Sequence, residues 1–378
     1  MKKFLFKITV FGSPLILVFL IPSIFLFVSG ENYKSIDNVI KSKQDYLIGY
    51  AYNEGNYRYL KKKELESQKP QHLIALGSSR VLQFRDKMFT RSFYNAGYTI
   101  SSIADFVPFI NTNLDSNKSE VLLIALDQWM FNEDWDSLED YDALDRKWTA
   151  KFNKKASIGT IFNTWLDFFS GKFGVEIIFN NPKEKLETIG LNALVNNTGF
   201  RKDGSMRYGG QIHMLLNNDS AANDFNYSDT YKRIKNGNRR FQFGKQVNAK
   251  AIQALSELLI LCKNRGIYVI AFLPPFANKV NARMEQTGNY FYVKSIFEES
   301  LGLFEEYGFE LWDMTTLDKY NSNDNEMIDG FHGGEVTYLK MLIYMIEKGS
   351  YLKEYTEINK LKSDFENRQN NYLVYPDN

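Results

Sequence analysis

No charged residue occurs between positions 8 and 28, and that stretch constrains the chain more than any other. A run of about 20 uncharged, mostly apolar residues is long enough to cross a bilayer as a helix. A secretory signal usually has a shorter apolar core, and Val28-Ser29-Gly30 is only a fair cleavage site, so an anchor is favoured over a cleaved signal. Pro14 and Pro22 are tolerable in a spanning helix. Lys2, Lys3 and Lys7 flank the run on its amino side. Positive charge stays inside, so the body after residue 30 is expected outside the cytoplasmic membrane, in the periplasm or at the cell surface.

That body has ample material for a core, since 44% of the 378 residues are apolar and 15% aromatic. A net charge of +1 offers no electrostatic surface for nucleic acid. The single cysteine, Cys262, rules out an intrachain disulfide framework and reads as a core residue within an apolar segment. Residues 31–70 hold many tyrosines among charges, with Gly49 and Gly55 weakening any single long helix. They read as a juxtamembrane linker of broken helices.

Four apolar residues, Leu73 to Leu76, run into Gly77-Ser78-Ser79-Arg80. A continuous apolar run bounded by turn residues reads as a buried strand of a parallel sheet. Its carboxyl end is where ligands and catalytic groups collect in such sheets. A serine there can act as a nucleophile if a base reaches it. Only three histidines exist, His72, His213 and His332. His72 precedes the strand, at the wrong end, and His213 lies in unpatterned sequence. His332 follows Asp329 by three residues on a turn, a spacing that lets the carboxylate fix the imidazole tautomer. Elimination favours His332 as base and Asp329 as its orienter. Ser79 or Ser78 would be the nucleophile.

These motifs resemble the SGNH, or GDSL-type, hydrolases and acyltransferases. The first block, Gly-Asp-Ser, is similar to Gly77-Ser78-Ser79, and the last, Asp-x-x-His, to Asp329 and His332. The second block, a glycine at the next strand end, resembles Asn95-Ala96-Gly97. Serine in place of the block-one aspartate is shared with membrane-anchored members, such as the D-alanyl transfer protein of teichoic-acid modification. The third block, Gly-x-Asn-Asp, departs: strand 121–126 is followed by Asp127-Gln128-Trp129 with no asparagine. The resemblance covers about 70–130 and 245–348.

It implies a three-layer α/β/α, flavodoxin-like fold with a parallel sheet. It also implies Ser79 as nucleophile and an oxyanion hole from the Ser79 and Gly97 N–H groups with the Gln128 side chain. Arg80, Asn95 and Asp127 are then expected to touch substrate. No cofactor is implied. A polysaccharide acceptor and a multispanning acyl-transferring membrane partner are.

The rest of the chain alternates strand and helix around those blocks, as a parallel sheet covered on both faces requires. The expected division is 1–30 anchor, 31–70 linker, 71–131 first core part, 132–245 insertion, 246–348 second core part and 349–378 helical tail. The insertion clusters Asn, Gly, Asp and Ser, which read as loops. Its Arg201, Lys202, Asp203 and Arg207 either meet a glycan or form a solvated surface. Neither metal-ligand spacing nor a phosphate-cradling glycine loop occurs. The expected function is O-acyl transfer to a cell-envelope glycan. An esterase with the same residues and a non-catalytic glycan-binding protein are the alternatives.

Overall fold

A computed structural model describes residues 1–32, 34–42, 44–114, 119–139, 147–179 and 187–376, without the side chains of Leu5, Ile8 and Thr9. Segments 140–146 and 180–186 of the expected insertion, and the end of the tail, lie outside the described residues. Nine strands are described: β1 (Tyr46–Ile48), β2 (Gln71–Gly77), β3 (Phe93–Gly97), β4 (Ser119–Ala125), β5 (Glu187–Ile189), β6 (Thr198–Arg201), β7 (Met206–Tyr208), β8 (Tyr268–Leu273) and β9 (Glu310–Asp313).

The chain divides into two compact units. The first holds residues 1–63, 150–202 and 206–210; the second holds 64–149, 203–205 and 211–378. The 132–245 stretch is therefore not one insertion. Most of its middle belongs with the N-terminal segment, and 211–245 belongs with the unit that holds Ser79, Asp329 and His332. Residues 31–63 likewise build a unit rather than a linker, and β1 lies within them.

In the first unit, helix Lys2–Val28 contains the segment Val10–Val28, whose mean hydropathy of 2.4 makes it long and apolar enough to cross a membrane. A four-stranded sheet follows the order β5-β1-β6-β7, with β1 parallel to β5 and antiparallel to β6. Glu31, just past the helix, is buried and accepts backbone N–H groups from Ala51, Tyr52, Asn53 and Leu191 at 2.7–3.2 Å. One carboxylate thus satisfies four donors that loops around β1 and β5 leave unpaired.

The second unit is built on a five-stranded parallel sheet of order β3-β2-β4-β8-β9. Counting along the chain, this is the doubly wound order 2-1-3-4-5, whose switch point lies between β2 and β4. The strands read as unbroken apolar runs because both faces are covered: Leu73–Gly77, Val121–Ala125 and Val269–Leu273 are buried throughout. Helices Ala249–Asn264 and Phe291–Tyr307 pack together, as do Glu335–Glu347 and Ile358–Glu366. Residues 203–205 lie along the edge strand, where Asn95 N donates to Asp203 O at 2.9 Å. Gly204 adopts φ +78°, and a Cβ there would fall 2.1 Å from Asn95 O, so a larger residue would break this edge contact. Asp203 itself is buried against Arg85 at 3.0 Å, which removes it from the glycan-facing set.

Candidate active site

The switch point places the end of β2 next to the ends of β3 and β4, with Gly77 paired to Gly97 and Leu76 to Ile124. At Gly97 a Cβ would lie 2.6 Å from Val81 and 2.7 Å from Leu82, so only glycine lets the chain leaving β2 pass this close. That chain forms a short 3-10 turn, Ser79–Val81. Ser78 caps it, its Oγ accepting Arg80 N at 3.2 Å, and is 5% exposed. Ser79 is the one residue between Leu73 and Arg85 that is not buried. The two serines are therefore not equivalent: one closes a turn and the other faces outward.

Ser79 Oγ lies 2.8 Å from His332 Nε2, and His332 Nδ1 lies 2.7 Å from Asp329 Oδ2. An ionised carboxylate only accepts, so Nδ1 carries the proton and Nε2 presents its lone pair to the serine. The Asp329–His332 turn is held from several sides. Asp329 Oδ1 accepts the N–H groups of Phe331 and His332 at 2.9 and 2.8 Å. Asp224 Oδ2 accepts Gly330 N at 3.1 Å, and His332 O accepts Ile328 N at 2.7 Å. Phe331 lies against the imidazole with ring centres 4.4 Å apart and packs in turn on Trp129 and Phe241. Burial alone would raise the Asp329 pKa; the His332 charge and hydrogen bond and the two backbone N–H groups outweigh it and hold the carboxyl below its ordinary range.

Arg80, expected to meet substrate, is instead fully buried. Its Nε donates to Phe331 O at 3.0 Å, Nη1 to Gln128 Oε1 at 2.7 Å and Nη2 to Pro275 O at 2.5 Å. It ties together the ends of β2, β4 and β8 and the His332 turn, a positioning role fitted to a planar fork of donors. Asp127, the other expected substrate contact, is also fully buried. One of its oxygens lies 3.5 Å from Arg80 Nη1 and the other has no hydrogen-bond partner among the described residues. Burial raises its pKa against the opposing pull of Arg80.

Two expected oxyanion donors are committed elsewhere. Gln128 Nε2 donates to Pro274 O at 2.7 Å and to Thr315 Oγ1 at 3.3 Å, so the amide that would replace the missing asparagine is turned into the protein. Gly97 N donates its single proton to Asn95 Oδ1 at 3.0 Å. Asn95, also expected at the substrate, spends its amide on Val81 O and Phe84 O and is fully buried. The Ser79 N–H, first in its 3-10 turn, has no acceptor within that turn.

Two features escaped sequence reading. Tyr98, directly after Gly97, sits at φ 72° and donates its N–H to Ser78 O at 3.1 Å, a strained position for a bulky residue at the mouth of the site. Arg240 stands over the Trp129 ring at 5.1 Å, also at positive φ. No local pattern marks either, because both depend on chain segments brought together only by folding. His72 bonds Ser92 at 2.7 Å at the far end of β2, and His213 is exposed. No group of potential metal ligands occurs among the described residues. Comparison with protein-family models, with curated proteins and with solved structures finds no match.

Proposed function

We propose that this protein is a membrane-anchored, extracytoplasmic serine O-acyltransferase of SGNH type, acting on a hydroxyl of a cell-envelope or exported polysaccharide. The observation that carries the reading is the hydrogen-bonded series Ser79–His332–Asp329 at the carboxyl end of β2. The strand order and the chain order of the motif blocks support the SGNH assignment, and Val10–Val28 supports the anchor. His332 Nε2 takes the Ser79 proton as Oγ bonds the acyl carbon. The same nitrogen returns it to the leaving oxygen or sulfur as that bond breaks. A sugar hydroxyl then repeats the steps in reverse and carries the acyl group away. Asp329 orients the imidazole and stabilises the imidazolium. A multispanning membrane protein that supplies the acyl group is the partner this scheme calls for.

Hydrolysis uses the same three residues with water as acceptor. A non-catalytic, glycan-binding reading is favoured by one observation: Gly97 N and the Gln128 amide are both committed elsewhere, so of the three expected oxyanion donors only the Ser79 N–H is not engaged by a described partner. Loss of one such donor costs about 2.7–4 kcal/mol in barrier, so this point separates the readings. The test is labelling of the full-length protein in detergent with an alkyl fluorophosphonate, together with turnover of a short-chain aryl ester. Labelling and turnover absent in Ser79→Ala and His332→Ala, and retained in Ser78→Ala, support the enzyme. Wild-type protein that stays unlabelled in its own membranes overturns it.

A further inference from the structure

The first unit contains a helix, Ile158–Phe169, that exposes a stripe of large apolar side chains. Ile158, Phe162, Leu166 and Phe169 are 53–76% exposed. Their spacing of four, four and three residues puts them on one helix face. The opposite face packs on the N-terminal helix: Ile161 joins a buried cluster with Phe25 and Leu26, and the Phe168 and Phe25 ring centres lie 5.4 Å apart. Only Asp167 carries charge, and it is bound by Tyr52 OH at 2.7 Å and Lys172 Nζ at 2.6 Å.

A second contact fixes the level of this helix. Proline has no N–H, so Pro22 leaves Val18 O without its donor four residues on, just as Pro14 leaves Val10 O. In hydrocarbon an unpaired carbonyl is costly. Ser13 Oγ repairs the first, donating to Val10 O at 2.9 Å. Trp165 Nε1 repairs the second, donating to Val18 O at 2.8 Å. Val18 stands ten residues before Val28, about 15 Å along the helix axis, or near the middle of a bilayer about 30 Å thick.

We infer that helix Ile158–Phe169 is a second membrane-embedded element, lying beside the anchor in the leaflet opposite the cytoplasm. Ile158, Phe162, Leu166 and Phe169 then sit among lipid acyl chains. The inference rests on the reading that Val10–Val28 spans the bilayer. It follows because the stripe is continuous with a lipid-facing helix: Leu15, Ile16 and Leu17 are 49–66% exposed beside the same contact. Chain returning into the membrane is tolerated when it is helical and its buried polar groups are paired. Thr164 Oγ1 bonds Thr160 O at 2.8 Å and Thr160 Oγ1 meets Ser157 Oγ at 2.9 Å, while the exposed Asn163 lies off the apolar stripe.

The experiment places an environment-sensitive fluorophore on single introduced cysteines in the full-length protein, reconstituted in phosphatidylcholine vesicles. The positions are Phe162→Cys and Leu166→Cys on the stripe, Leu15→Cys on the anchor and the exposed Gln253→Cys on the second unit. Buried Cys262 stays unlabelled. With acyl-chain spin-labelled lipid, the Phe162 and Leu166 probes are expected to lose the same fraction of emission as the Leu15 probe. The Gln253 probe is expected to lose none and to be quenched by aqueous iodide. A lipid-quenched Leu15 probe beside stripe probes open to iodide overturns the inference while the anchor stands. Stripe probes shielded from both quenchers mean a protein covers the stripe, which also overturns it. A Leu15 probe that lipid does not quench removes the anchor reading and the inference with it.

Discussion

Replacing Arg80 with methionine keeps most of its length and removes its charge and all its donors, and the consequences can be worked from its partners. Three hydrogen bonds go, to Phe331 O, Gln128 Oε1 and Pro275 O, and Asp127 loses its strongest cationic neighbour, with Arg240 remaining as a weaker one. The last loss dominates, because removing one partner of a buried pair leaves an uncompensated charge and costs about 3–5 kcal/mol. Urea unfolding of the full-length protein in detergent, followed by near-ultraviolet circular dichroism, measures it. Burial already raises the Asp127 pKa with Arg80 present, so in the variant the carboxyl favours its protonated form more strongly. A group whose folded pKa is raised costs nothing below its unfolded value and most well above the folded one. The deficit of Arg80→Met is therefore expected to shrink as pH falls from 8 to 5. Adding Asp127→Asn should recover part of the loss at pH 8, a coupling of about 0.5–3 kcal/mol. Ester turnover should fall beyond the stability loss, since Phe331 O anchors the His332 turn, and Arg80→Lys should restore little because a point charge cannot serve three directions. A deficit under about 1 kcal/mol, or one that grows on acidification, would refute the assignment of Arg80 as a buried strut.

Asp329 has a depressed pKa, so its contribution is present above the unfolded value of about 3.9 and is lost as pH falls through the folded one. Wild type should lose stability between pH 4 and lower values more steeply than Asp329→Asn in urea titrations, and equal slopes would sink the point. Burial pushes the Cys262 thiol up to about 12, so a water-soluble disulfide reagent should react at neutral pH only with unfolded protein, as followed by released thiolate. Glu31→Gln turns an NH2 group toward two of the four N–H donors that the carboxylate receives. A loss of about 1–3 kcal/mol for each stranded donor should lower the melting temperature of the first unit without touching Ser79 labelling.

What the sequence disclosed and what it withheld divide along physical lines. The apolar runs of β2, β4 and β8 were legible because strands covered on both faces must be apolar throughout. The long apolar helix was legible because Ile8 to Val28 carry no charge over a length that could cross a bilayer. Strands β1, β5 and β7 have three residues each, too short for any period to show, and β1 lay in a tyrosine-rich stretch that reads equally as helix. Ser79, Asp329 and His332 stood out because their chemistry needs those residue types in that order at strand ends and turns. Arg80, Asn95, Asp127 and Gln128 are polar residues in the same turns, and polarity at a strand end reads as contact with substrate. Folding instead pairs them with each other and with Val81, Phe84, Pro274 and Pro275 carbonyls, because a buried donor without an acceptor costs more than a surface one gains.

The same accounting joins the two ends of the chain's design. At the Asp329–His332 turn, Arg80 satisfies three carbonyl and amide oxygens left by loops around the switch point; in the apolar helix, Trp165 satisfies the one left by Pro22. Each is a single side chain reaching from a distant segment to a backbone oxygen that its own neighbourhood cannot serve. Neither is visible from local pattern, yet both follow once every buried carbonyl is asked for its donor. The separation is testable in one protein: Trp165→Phe should change the lipid quenching of a Leu166 probe and leave Ser79 labelling intact. Arg80→Met should do the reverse.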